Sequence, residues 1–217
     1  MLKQLILYDL DGTLVDTSDD IVQAAQYTLR QLALPALPRE VILRGVGRGL
    51  EQLIAGCLQT TDAKRIQAGM TIYRGYYAQH LLDRSALYPG AQECLEYFRA
   101  RKQAVITNKP NPFSRDILAG LGVVGYFFEI LAGDSAYPNK PDPSGVASMM
   151  RHLCVSSLET LFIGDSPIDV QTGRNAGVDT VVVRHGFAED DEIARMRPDV
   201  VVEDFQELLE LAKERRW

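Results

Sequence analysis

The chain has 217 residues, 46% of them apolar and 24% charged, with a formal net charge of −6. That is ample material for a buried core, and the acidic balance argues against nucleic acid or an anionic membrane as the main partner. The N-terminal "MLKQLILYD" lacks the long apolar region and cleavage site of a secretory signal, and no run reaches the ~18 apolar residues of a bilayer span. Three scattered cysteines, Cys57, Cys94 and Cys154, give neither a disulfide framework nor a thiolate metal site. A cytoplasmic protein is expected.

Short apolar runs of strand length recur along the chain: "QLILYD" from residue 4, "QAVITN" from 103, "FFEILAG" from 127, "TLFIGD" from 160 and "DTVVVRH" from 179. Helical periodicity lies between them. "GAQECLEYFRAR" aligns Ala91, Cys94, Leu95 and Phe98, "PFSRDILAGLG" is closed by Gly120 and Gly122, and "DVQTGRNAG" is stopped by a glycine. Continuous rather than alternating apolar strands imply a sheet covered on both faces, hence parallel strands in an α/β fold. Residues 17–84 break the alternation. Thr17, Ser18, Asp19 and Asp20 suit a helix start, helical spacing continues to Pro35, and two more helical stretches follow without a convincing strand. These residues read as an all-helical insertion, or cap, in a core formed by 1–16 and 85–217. "LYPG" at 87–90 marks the re-entry. The tail supplies a last short strand and an amphipathic helix with a basic end.

Polar residues stand at the carboxyl ends of these strands, where such sheets bind ligands. They are Asp9 and Asp11, Thr107 and Asn108, and Asp165 with Asp169 four residues on; Lys140 stands in "NKPDP". Parallel strands would gather them on one edge. Four carboxylates in one small space need a cation, and the absence of sulfur or imidazole donors favours a hard one such as magnesium. Lys140 and Thr107 would then grip an anionic group beside the metal, phosphate above all. A carboxylate can attack phosphorus directly, while a second one moves protons. Gly12 permits a tight turn whose neighbouring N–H groups can point at a phosphate.

"DLDGTLVD", "VITN", "KPDP" and "GDSPID" resemble, in order and spacing, the four motifs of the haloacid dehalogenase-like phosphatases, over nearly the whole chain. The resemblance implies a Rossmann-like parallel sheet with an inserted helical cap. It makes Asp9 the nucleophile, Asp11 the general acid/base, Thr107 the holder of the phosphoryl group and Lys140 the neutralising cation. Gly12, Thr13 and Asn108 join the phosphate-binding set. Asp9, Asp165 and the Asp11 carbonyl would bind magnesium, with Asp169 ligating directly or through water. Tyr8 stands where many members have phenylalanine. "LYPGAQECLEYFRAR", "VITNKPNPFSRDILAGLG" and "LFIGDSPIDVQTGRNAGV" look most like phosphoglycolate phosphatases, with Asn108-Lys109-Pro110 the most telling part.

The expected reaction is therefore magnesium-dependent hydrolysis of a small anionic phosphate ester, 2-phosphoglycolate first. A hexose phosphate phosphomutase or a pyrophosphatase of the same fold is the alternative. A phospho-receiver module has similar residues but in the wrong order, and a dehalogenase would do without Asp11. Arg44 and Arg48, flanking "GVG", are candidates for pairing with a substrate carboxylate. Asp16, Asp19, Asp20 and Asp142 read as caps or turns, and His185 as a residue near the site's border.

Overall fold

In a computed structural model describing residues 2–217, six parallel strands form one sheet. They are β1 (Leu5–Tyr8), β4 (Lys102–Ile106), β5 (Glu129–Leu131), β6 (Thr160–Gly164), β7 (Asp179–Val183) and β8 (Val200–Val202), in the spatial order β5-β4-β1-β6-β7-β8. β1 pairs with β4 on one side and β6 on the other, so Tyr8 lies opposite both Val105 and Ile163. The chain order reverses at β1, and such a switch point opens a crevice beyond the carboxyl ends of β1, β4 and β6.

All four β1 side chains are fully buried, and their alternation divides the core. Ile6 and Tyr8 belong to one apolar cluster with Val105 and Ile163; Leu5 and Leu7 belong to another with Ala104 and Phe162. The first cluster is covered by α5 (Ala91–Tyr97), α6 (Phe113–Gly120) and α10 (Phe205–Arg215), through residues such as Leu95, Ile117 and Phe205. The second is covered by α7 (Ser144–Leu153), through Val146 and Met149, and by α8 (Pro167–Ala176), through Ala176. This two-sided cover is why the strands read as unbroken apolar runs. Tyr8 adds a hydroxyl to the core, and Gln103 accepts its proton at 3.0 Å while donating to Leu95 O. The polar atom is thus satisfied, and the ring fills an apolar site. A further helix, α9 (Asp190–Met196), is one the sequence reading leaves unassigned.

The insertion holds α1 (Ser18–Gln31), α2 (Arg39–Leu43), α3 (Leu50–Leu58) and α4 (Ala63–His80). Two short strands bracket it, where the sequence reading expects none: β2 (Val15–Asp16) and β3 (Ala86–Leu87) pair antiparallel. Two residues per strand are too few for a periodic signal. α1 begins where expected, yet Thr17 makes no side-chain cap; Asp16 Oδ1 instead accepts from Ser18 N at 3.0 Å. Arg44–Gly49 interrupts the second helical stretch, with Gly47 and Gly49 both at positive φ. None of the helices among the described residues is long and apolar enough to cross a membrane.

Asp20 locks the start of the insertion to its end. Its buried Oδ2 accepts from Arg84 N at 3.1 Å, Ser85 N at 2.8 Å and Ser85 Oγ at 2.7 Å. Asp20→Ala strands these donors and should cost about 2–4 kcal/mol of unfolding free energy. Urea denaturation measures it; a loss under about 0.5 kcal/mol, the range of an ordinary surface change, would contradict this role.

Candidate active site

Asp9 continues the ladder one residue past β1, its N–H donating to Ile163 O at 2.9 Å. The chain then folds back through Leu10–Leu14, closed by Gly12 N to Val15 O at 2.9 Å and Val15 N to Leu10 O at 3.0 Å. Gly12 has φ +85°, and a Cβ there would lie 2.5 Å from Asp165 Oδ2. Both the backbone angle and the space therefore require glycine. Across the site a Cβ on Gly186 would stand 2.2 Å from that of Asp165.

Asp9, Asp165 and Asp169 are buried, and one carboxylate oxygen from each lies within 4.8 Å of the others. Lys140 Nζ sits 2.7 Å from Asp9 Oδ1 and 2.7 Å from Asp169 Oδ1. It hydrogen-bonds to Asp169, whereas its approach to Asp9 is an ion pair without hydrogen-bond geometry, leaving Asp9 Oδ1 with no hydrogen-bond partner among the described residues. Asp169 Oδ2 accepts from Asp165 N, Ser166 N and Ser166 Oγ, so the same side chain caps α8. Asp165 accepts from Thr13 Oγ1 at 2.7 Å and Phe187 N at 2.9 Å.

Burial pushes the Asp9 carboxyl up to about 7, with Lys140 pulling it down and Asp169 and Asp11 adding to the rise. Burial, then Asp169 and Asp9, hold Asp165 well above the usual carboxylate range. Burial opposes the charge on Lys140, but Asp169 and Asp9 outweigh it and keep this lysine protonated. One ammonium cannot balance three ionised carboxylates, which is why Asp9 and Asp165 bind protons so readily here. The donors are all oxygen. The set fits a hard divalent cation.

Asp11 faces the other way. Its Oδ1 accepts from Thr17 Oγ1 at 2.7 Å and Lys109 Nζ at 2.9 Å. The sequence reading gives Lys109 no role of its own, although a lysine so close behind a strand end was the available signal. Thr107 Oγ1 accepts from Lys109 N at 3.2 Å, which leaves its own proton free to donate.

The other expected phosphate ligands have other partners. The Gly12 N–H is committed to Val15, and the Thr13 hydroxyl to Asp165. Asn108 Nδ2 donates to Gly47 O at 2.8 Å and Lys140 O at 3.1 Å, while its Oδ1 accepts from Lys140 N at 2.8 Å. Its side chain thus ties the insertion's glycine loop to the lysine beside Asp9. Arg44 is exposed and paired with Glu189 Oε1 at 3.1 Å; Arg48 is also exposed. His185 supports the loop from outside, its ring 3.9 Å from that of Tyr88 and its Nε2 3.1 Å from Thr13 O.

Two cavities meet at Asp9 and Asp11. A cleft of about 360 Å³ runs past Asp165, Ser166 and Glu192, with Arg44, Arg48 and Glu189 also on its walls. A smaller chamber of about 40 Å³, walled partly by the insertion, is lined by Lys109, Tyr73, Tyr77, Phe113, Leu50 and Leu53 among others.

The family model described as haloacid dehalogenase-like hydrolase matches residues 6–183. The chain is 33% identical over 217 residues to the phosphoglycolate phosphatase of Vibrio parahaemolyticus serotype O3:K6, covering 96% of this chain and 95% of that one. It is 34% identical over 208 residues to the plasmid phosphoglycolate phosphatase of Cupriavidus necator, covering 94% and 90%. A crystal structure described as a predicted phosphoglycolate phosphatase from Haemophilus somnus 129pt superposes with a TM-score of 0.91 at 28% identity, covering 97% and 98%.

With its buried carboxyl raised from 3.8 to about 7, Asp9 in the metal-free fold binds a proton more readily than in the unfolded chain. Metal-free protein should therefore lose stability as pH rises from about 4 to about 7, by a few kcal/mol at most. Asp9→Asn should flatten that slope and be the more stable form at pH 8. Urea midpoints in chelator check this; equal slopes in both proteins would contradict it.

Proposed function

We propose, since the chain belongs to the haloacid dehalogenase-like hydrolases and is a phosphatase of that family, that it hydrolyses 2-phosphoglycolate to glycolate and phosphate through a phosphorylated Asp9. The observation that carries the mechanism is the buried Asp9 carboxylate, one oxygen 2.7 Å from Lys140 Nζ, held beside two further buried carboxylates. The substrate is carried over from the relatives' names.

In this reading the Asp9 carboxylate attacks phosphorus and the ester P–O bond breaks. Asp11 gives a proton to the departing glycolate oxygen, then, as a carboxylate, takes one from the water that attacks the aspartyl phosphate. Phosphate leaves and Asp9 is restored. Thr107 donates its free hydroxyl proton to the phosphoryl group, and Lys140 favours the ionised form of Asp9. Asp9, Asp165 and the Asp11 carbonyl, with Asp169 direct or through water, would hold magnesium, whose charge when bound offsets that of nucleophile and phosphate.

Residues 17–84 serve as a cap over a catalytic core of 1–16 and 85–217, excluding bulk water during transfer. The Asn108–Gly47 contact is one point where the cap meets the core. The proposal places the enzyme in the cytoplasm, where its free cysteines would stay reduced.

Phosphate release from a panel of esters and pyrophosphate, with magnesium and with chelator, tests the reading. 2-Phosphoglycolate should lead, and chelation should abolish turnover. Asp9→Asn should lose roughly three orders of magnitude or more. Asp11→Asn should lose about 10²–10⁴-fold. Near-parent turnover by Asp9→Asn would overturn the mechanism, and a lead by pyrophosphate or a hexose phosphate would overturn the substrate.

A further inference from the structure

We propose that the smaller chamber beside Asp11 is the subsite for the leaving group's carboxylate, with Lys109 Nζ and the Tyr77 hydroxyl as its donors. This rests on the phosphatase reading above and assigns the leaving-group pocket that reading leaves blank.

Lys109 is the sole cation among the residues lining the chamber, whose other charged residues are Asp9 and Asp11. Its ammonium carries three protons, and among the described residues its one hydrogen bond is to Asp11 Oδ1, at 2.9 Å. It lies 4.6 Å from the centroid of the Tyr77 ring, which steers it over the aromatic face.

Tyr77 enters from α4 and is fully buried, and its hydroxyl has no hydrogen-bond partner among the described residues. A buried hydroxyl without an acceptor is costly. The Tyr77 ring stacks on Tyr73 at 5.3 Å and meets Phe113 edge-on at 5.2 Å, so it has little freedom to turn away. An ammonium with protons beyond its one hydrogen bond and a hydroxyl without a partner thus belong to two residues lining one chamber, and a carboxylate carries two oxygens to receive them.

The chamber's position and size narrow the ligand. Asp9 and Asp11 both line it, so a group held there sits beside the bond to be cut. At about 40 Å³, against the roughly 10–15 Å³ needed for one water, it takes a few heavy atoms. That suits the phosphate esters of two- or three-carbon hydroxy acids better than those of a sugar ring. Leu50, Leu53 and Phe113 keep it apolar, where a single ion pair discriminates strongly. Arg44 and Arg48 are solvent-exposed, so screening makes them poor selectors.

The test is the ratio of kcat/KM for 2-phosphoglycolate to that for ethyl phosphate, which has a methyl in place of the carboxylate. A ratio measured in one preparation cancels any inactive fraction and any displacement of Asp11. It should fall about tenfold in Tyr77→Phe and about 100-fold in Lys109→Met, with Lys109→Arg recovering part of the loss. Variants that lose both substrates equally, or that keep the parent ratio, overturn the subsite and leave the substrate reading standing. A parent protein that does not favour 2-phosphoglycolate over ethyl phosphate overturns the substrate reading, and the subsite with it.

Discussion

One ammonium group, Lys140 Nζ, stands 2.7 Å from Asp9 and 2.7 Å from Asp169, and the site is arranged around it. Buried carboxylates tolerate such crowding only when paired, and this lysine is buried with them. It is held by its backbone as well as its charge, since Asn108 grips both Lys140 N and Lys140 O. The same asparagine reaches Gly47 in the helical insertion. The counter-ion of Asp9 and the insertion are thus fastened through one side chain. Glycine makes the crowding sterically possible, because Gly12, Gly164 and Gly186 leave room for Asp165 and Asp169 to press against backbone.

The two aspartates of "DLD" have different partners, which suits different tasks. Asp9 is turned toward Lys140 and the acidic cluster, Asp11 toward Thr17 and Lys109. Residues two apart in a strand would share a face; the turn separates these two, since Asp9 still follows the sheet one residue past β1 and by Gly12 the chain has turned back. β4 and β6, hydrogen-bonded to either side of β1, bring Thr107 and Asp165 to the same edge. Sheet topology, rather than any local propensity, makes a site from residues more than 150 positions apart.

The sheet was legible because burial on both faces leaves continuous apolar runs, and the polar residues ending them marked the edge where the site lies. The helical insertion was legible from periodicity and its lack of strands. Side-chain direction was not. Thr17 looked like a helix cap and instead bonds to Asp11; Thr13 looked like a phosphate ligand and bonds to Asp165; Asn108 binds backbone on two sides. Each is a short polar residue beside the motif, where sequence cannot tell which of several near neighbours takes the bond. Lys109 and Tyr77 went unassigned for a related reason. They meet only when α4 folds over the end of β4, and nothing in either segment announces the other.

The account stands or falls on Asp9 as the atom-bearing nucleophile. The direct measurement is rapid acid quench of magnesium-loaded protein turning over 2-phosphoglycolate, followed by peptide mass analysis. The account predicts a phosphoryl group on Asp9 that forms no later than the first glycolate and is absent from Asp9→Asn. A phosphoryl group on another residue, or phosphate released in the first turnover with every peptide unmodified, would contradict it.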